Sequence, residues 1–172
     1  MTSYVALLRG VNLVGKSTLR MADLKAIAEE LGLQKARTFI ASGNLLFTSH
    51  SAEEPLRELL EERLRPHMSK DVSVMLRTAQ EMAAVVAANP YPHFPGNKVQ
   101  AFFLNQAPPS DLLDTVRNQD DERIAGGVRE VYVAYGEKGI GRSRVRIPAA
   151  EAGTARNMNT VAKLAELARE QA

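Results

Sequence analysis

Residues Tyr4–Ser17 read YVALLRGVNLVGKS, and the fold turns on how this stretch is read. Val5-Ala6-Leu7-Leu8 is a short apolar run ended by Arg9-Gly10, the form of a buried strand closed by glycine. Gly10-x4-Gly15-Lys16-Ser17 also has the spacing of a phosphate-binding P-loop. There, backbone N–H groups close around phosphate oxygens, the lysine reaches the β/γ-phosphates and the hydroxyl holds magnesium. The flanks argue otherwise. A P-loop opens a helix at its lysine, so that the positive helix end faces the phosphates. Here Thr18-Leu19-Arg20 intervene, and helical periodicity begins near Met21. The metal also needs a second strand ending in aspartate, whereas the candidate strands end in Arg77, Asn105 and Gly136. The stretch therefore reads as a strand and a glycine-hinged loop, in which Arg9, Asn12 and Lys16 keep a functional claim.

Working outward, Met21–Leu31 reads as a helix with Leu24, Ile27, Ala28 and Leu31 on one face and Gly32 as its stop. Thr38–Ala41 and Leu45–Thr48 read as strands joined by Ser42-Gly43-Asn44, a hairpin signal. Glu53–His67 reads as a helix with Leu56, Leu59, Leu60 and Leu64 inward. Glu53–Arg57 and Glu61–Arg65 form i,i+4 pairs on its outer face. Val72–Arg77 alternates Val72, Val74 and Leu76 against Ser73, Met75 and Arg77, which completes βαββαβ, the ferredoxin-like order.

Thr78–Asn89 reads as a helix, and the proline-rich Tyr91–Asn97 as a connection. A second series follows: strand Val99–Leu104, short helix Pro109–Arg117, strands Glu122–Ala125 and Val128–Tyr135 across Gly126-Gly127, and helix Thr160–Glu170. This is the first series without its last strand. Ala22-Asp23-Leu24 and Ser110-Asp111-Leu112 stand at matching helix starts, and Gly43-Asn44 and Gly126-Gly127 at matching hairpins, a sign of internal duplication. The expected fold is α+β, two ferredoxin-like halves with largely antiparallel sheets. The first half spans residues 1–78, a helix and connection 79–98, and the second half 99–172.

Composition narrows the function classes. The 172 residues hold no cysteine, so disulfide and thiolate chemistry are absent. No stretch approaches the roughly 20 apolar residues of a membrane-spanning helix, and the apolar run before Arg9 is too short for a signal peptide. A cytoplasmic protein with no membrane partner is expected. Net charge is +2 with acids and bases interleaved, so any basic site must be local.

Ala6-Leu7-Leu8-Arg9-Gly10-Val11-Asn12, Gly15-Lys16, Met21-Ala22-Asp23-Leu24, Ser42-Gly43-Asn44, Asn89-Pro90, Gly139-x-Gly141-Arg142-Ser143 and Arg156-Asn157-x-Asn159-Thr160-Val161 lie in order along the chain. Together they resemble the bacterial family known as domain of unknown function 1697. The resemblance implies ferredoxin-like subdomains and assigns no reaction. It also implies that Ser17 is incidental, since asparagine often follows the lysine in that pattern. Met158 departs from the pattern, which has an aromatic there, and the segment between Arg142 and Arg156 is shorter than the pattern's.

The candidate site residues are Arg9, Asn12, Lys16, Ser42, Asn44, Arg142, Ser143, Arg156, Asn157 and Asn159. They combine cations, amide groups and hydroxyls without clustered carboxylates, a chemistry that suits phosphate or carboxylate. Arg142-Ser143 after two glycines suggests an anion-binding nest, and Arg156–Thr160 stands where a helix start would favour an anion. The structural alternatives are ordinary: Asn159 or Thr160 as helix cap, Asn44 as turn residue, Arg9 as partner of a core-edge acid. The leading expectation is a binding protein for a small anionic or phosphorylated ligand, without cofactor or metal. Two alternatives stand beside it, single-stranded nucleic-acid binding on a sheet face and nucleotide hydrolysis at Gly10–Ser17. His50, His67 and His93 have no metal-ligand spacing. Ser42 lacks a histidine placed as its base. Glu29, Glu30, Glu61 and Glu62 read as solvated. Phe102, Phe103 and Tyr132 read as core.

Overall fold

Strand β1, Thr2–Arg9, is buried along almost its whole length, because both faces of the sheet it centres are covered. The computed structural model describes residues 1–9, 19–40, 43–67 and 73–172. After β1 come helix α1 (Met21–Glu30), strands β2 (Gln34–Thr38) and β3 (Asn44–Ser49), helix α2 (Glu53–Leu64), strand β4 (Ser73–Thr78) and helix α3 (Ala79–Ala87). The second series is β5 (Val99–Phe103), β6 (Arg123–Gly126), β7 (Glu130–Ala134), β8 (Thr154–Asn157) and α4 (Met158–Gln171). Two four-stranded sheets result, ordered β2-β3-β1-β4 and β6-β7-β5-β8, with every strand pair antiparallel. The fold is α+β with two ferredoxin-like halves, and the antiparallel pairing of β1 is not that of a P-loop sheet.

The chain forms two compact units, residues 1–83 with 164–172, and residues 84–163. In the first, alternate residues of three strands (Tyr4, Ala6, Leu8; Leu45, Phe47; Val74, Leu76) pack on Leu24, Ile27 and Ala28 of α1 and Leu56, Leu60 and Leu64 of α2. The opposite face carries Val5, Leu7, Leu46, Met75 and Arg77, also buried. There the last turns of α4 dock by hydrogen bonds. Ser3 Oγ donates to Ala168 O at 2.7 Å, and Gln171 Nε2 donates to Phe47 O at 3.1 Å. In the second unit, Val131, Val133, Tyr135, Ile124 and Leu104 pack on Leu112, Ile147 and Ala150.

Several expectations need correction. The second series has its fourth strand, β8, which pairs with β5. Its buried residues are Thr154 and Arg156, both polar, so the apolar alternation that marks a strand is hidden. The helix expected over Pro109–Arg117 is only a 3-10 turn, Leu112–Thr115, because Val116 is already extended and leads into the bridge between Arg117 and Arg146. Strand β2 starts at Gln34 and ends at Thr38, earlier than read, and a bulge lies between Gln34 and Arg37. Arg57 pairs with Glu54 and, at 3.1 Å, with Glu61. Glu61 is not merely solvated, for its Oε1 accepts the Val74 N–H at 3.1 Å and so ties α2 to the edge strand β4.

The two sheets correspond residue by residue. Leu8 N–H donates to Gly43 O at 2.9 Å, as Leu104 N–H does to Arg129 O at 2.9 Å. Leu7 opposes the buried Asn44, and Phe103 opposes the buried Glu130. Val5 lies between Leu46 and Arg77, and Ala101 between Tyr132 and Arg156. Leu24 and Leu112, from the matched helix starts, both enter a core.

Candidate functional site

At the end of β1 in the first unit, three described strand ends meet. Arg9 opposes Ser73 of β4, and Leu7 opposes Asn44 of β3. Asn44 is fully buried. Its Nδ2 donates to Phe39 O at 3.0 Å and its carbonyl accepts Phe39 N–H at 3.1 Å, so both ends of the β2–β3 connection are held. Within that connection Ile40 has φ +49° and is 50% exposed. A β-branched residue in the left-handed region costs about 1–3 kcal/mol and persists where the surroundings impose it. The structure thus brings Arg9 and Asn44 to one end of one sheet. Asn12, Lys16 and Ser42, named with them above, lie outside the described residues.

In the second unit Arg156, Asn157 and Asn159 share the β8–α4 junction. Arg156 is 6% exposed, and its Nη1 donates to Thr154 Oγ1 at 2.7 Å and Ala155 O at 2.9 Å. Burial pulls its guanidinium down to about 10. Asn157 Oδ1 accepts Thr160 N–H at 3.0 Å, the bond of an N-cap. Asn159 is exposed on the first turn of α4, and the loop at Gly96 lies against it, where a Cβ would sit 2.0 Å from its Oδ1.

Arg142 and Ser143 occupy a different loop of that unit. Arg142 closes the 3-10 turn Ile140–Arg142 and is exposed. The amides of Gly139 and Ser143 donate to Gly136 O and Ile140 O. Ser143 Oγ donates to Glu122 Oε1 at 2.5 Å, and the Asp120 amide donates to Glu122 Oε2 at 2.7 Å. Burial of Glu122 raises its carboxyl, but these donors act the other way and hold it below the ordinary value. Tyr135, buried nearby and next to that charge, is pushed up to about 12.

Arg77 is not among the residues that the sequence pattern points to, since alternation sets it on the polar side of a strand. It is 1% exposed and the largest fully buried side chain among the described residues, with Nη1 donating to Leu76 O at 2.9 Å. Arg156 bonds the preceding carbonyl in the same way. Each arginine precedes a helix cap. Thr78 Oγ1 accepts Glu81 N–H while Glu81 Oε2 accepts Thr78 N–H, a capping box that matches the Asn157 cap. The signal was in the sequence: Arg77-Thr78 and Arg156-Asn157 both stand directly before a helix.

Among the described residues no group of three or more His, Asp or Glu side chains is placed to hold a metal. His50, His67 and His93 are exposed. Phe103 and Tyr132 are buried and Phe102 packs on the core, so these rings form no stacking platform on the sheet. Among the described residues no helix is long and apolar enough to cross a membrane.

The family model described as protein of unknown function DUF1697 matches residues 1–132, which takes in the first unit's sheet and β5 to most of β7. The chain belongs to this family. Another fold of the same kind is the solved structure of conserved bacterial protein SP0830 from Streptococcus pneumoniae. It is 24% identical, with a TM-score of 0.77 over 97% of this chain and 98% of that one. At that identity the likeness speaks for the fold. No curated protein matches the chain significantly.

Proposed function

We propose that this DUF1697 protein binds a small anionic or phosphorylated ligand at the end of its first sheet, where Arg9 meets the β2–β3 connection. One observation supports the reading: Leu8 N–H bonds Gly43 O, so the backbone at Arg9 adjoins the β2–β3 connection, which holds Ile40 in the left-handed region. Strain of that kind is retained at ligand clamps, and arginine grips phosphate or carboxylate bidentately. Asn12, Lys16 and Ser42 complete the proposed ligand set. The probes are inorganic phosphate, pyrophosphate and AMP in a thermal-unfolding titration. At 100 times Kd a ligand stabilises by about 2.7 kcal/mol, a rise of several degrees in Tm. Arg9→Gln should abolish the rise. If no probe raises Tm, or Arg9→Gln responds as the parent does, the reading fails.

The second reading, single-stranded nucleic acid, draws support from Arg142, Arg144 and Arg146, exposed at alternate positions next to Arg117. A salt-dependent mobility shift that Arg142→Ala/Arg144→Ala removes and Arg9→Gln keeps would favour it.

A further inference from the structure

In the second unit the chain leaves the 3-10 turn Ile140–Arg142 in extended backbone at Ser143 (φ −69°, ψ 135°) and runs to the antiparallel bridge of Arg146 with Arg117. Its side chains alternate. Ser143, Val145 and Ile147 turn inward, to Glu122 and to the core. Arg142, Arg144 and Arg146 turn outward and are exposed. Two residues of extended chain advance about 6–7 Å. The three guanidinium groups thus stand in a row, at a pitch close to that of neighbouring phosphates on one nucleic-acid strand.

Arg146 and Arg117 exchange both backbone hydrogen bonds, at 2.8 and 2.9 Å. Residues opposed in this way project from one face, so Arg117, also exposed, adds a fourth cation beside the row. Like charges directly opposite are destabilising. Among the described residues Arg117, Arg142 and Arg144 have no side-chain hydrogen bond or ion pair. Arg146 Nη2 donates to Glu151 Oε1 at 2.9 Å, but that pair is exposed and therefore weak. Elsewhere Arg20, Arg57 and Arg63 each meet a carboxylate. Four cations with one exposed acid among them favour an anion from outside the chain.

We propose that this arginine row binds the phosphorylated end of a single nucleic-acid strand, a refinement that rests on the nucleic-acid reading above. The opposed Arg117 and Arg146 close on the terminal phosphomonoester, whose charge of nearly −2 matches two guanidinium groups. Arg144 and Arg142 follow the next two phosphodiesters. The contacts are to phosphate alone, so base identity does not enter. That agrees with a sheet whose rings Phe103 and Tyr132 are buried and offer no stacking surface.

The test is fluorescence anisotropy of the full chain with short oligouridylates that carry a phosphate at the 5′ end, at the 3′ end or at neither. One terminal phosphate should tighten binding about tenfold, or about 1.4 kcal/mol. Arg117→Gln should erase that preference and keep the weaker binding of the plain oligomer. Arg142→Ala/Arg144→Ala should weaken every arm by the same factor and flatten the slope of log K against log salt by about 1.4, at about 0.7 per phosphate. Glu151→Gln should tighten binding by freeing Arg146, and Arg63→Gln, an equal change of charge in the first unit, should leave it unchanged. Equal binding with and without a terminal phosphate overturns the proposal and leaves the nucleic-acid reading standing. No binding of any oligomer overturns both. Polyglutamate competing as well as the phosphorylated oligomer would overturn the assignment in favour of an acidic protein partner.

Discussion

The two sheets share one strand order and differ in what covers them. In the first unit α1 and α2 lay leucine stripes on one face. In the second, the corresponding face is covered by a 3-10 turn carrying Leu112 and by Ile147 and Ala150 from a loop. The sequences explain the difference. MADLKAIAEE and EEPLRELLEERL keep apolar residues at helical spacing, whereas Gly136, Gly139, Gly141 and Pro148 interrupt the segment that would match α2. Strand pairing sets the sheet, and any cover that removes enough apolar surface from water suffices. Cover by turns packs fewer groups around each side chain, so its residues should be cheaper to delete.

That difference is open to the largest test. Leu60→Ala in α2, where the side chain is fully buried, should cost about 3–4 kcal/mol, and Leu112→Ala about 2. Urea denaturation of the full chain measures both. Equal costs would mean that the turn-covered face is packed as rigidly as the helix-covered one.

The buried arginines test the likeness instead. Arg77→Ala and Arg156→Ala should each cost about 2–3 kcal/mol, through lost packing and hydrogen bonds, and Arg→Met should recover part of it at both positions. For Arg156 the sign follows from its value of about 10, depressed by burial from the ordinary guanidinium value. The folded state disfavours the charged form. That penalty is fully present below about pH 10 and is relieved only as pH rises from there toward the ordinary value. At pH 7 methionine therefore removes an electrostatic cost. A loss at one arginine and none at the other would end the correspondence drawn between β4 and β8.

The same arginines mark what could be read in advance. Strand β1, the helices with leucine stripes and the paired order of elements follow from periodicity, because there burial and hydrophobicity coincide. They part company at β8, whose buried residues are Thr154 and Arg156, and at β4, where Arg77 sits on the side that alternation assigns to solvent. Strand β2 starts ahead of any periodic signal because a bulge and a left-handed lysine carry no apolar period. The meeting of Arg9 with Asn44 is half legible, since the hairpin shows in the sequence but the strand register that joins it to β1 does not. The roles of Lys35 and Arg37 are not legible at all. They donate to Gln171 O and Leu167 O, 136 and 130 residues away, on a helix whose docking no local pattern encodes.

The smallest effect contrasts two carboxylates with lowered values. Asp23 in the first unit is held below its ordinary value by hydrogen bonding to Arg20, but the pair lies in solvent, where screening leaves little net stability. Glu122 in the second unit is buried and holds its charge against desolvation through the Ser143 hydroxyl and the Asp120 amide. Because its folded value lies below the ordinary 4.5, its contribution is present above that pH and lost as pH falls through the folded value. Ser143→Ala should therefore cost about 1–2 kcal/mol at pH 7, and the gap to the parent should narrow once pH drops below 4.5. Asp23→Asn should leave the acid limb of the stability profile where it is. Parallel acid limbs for Ser143→Ala and the parent would show that the hydroxyl does not hold the Glu122 charge, and would place the acid sensitivity of the second unit elsewhere.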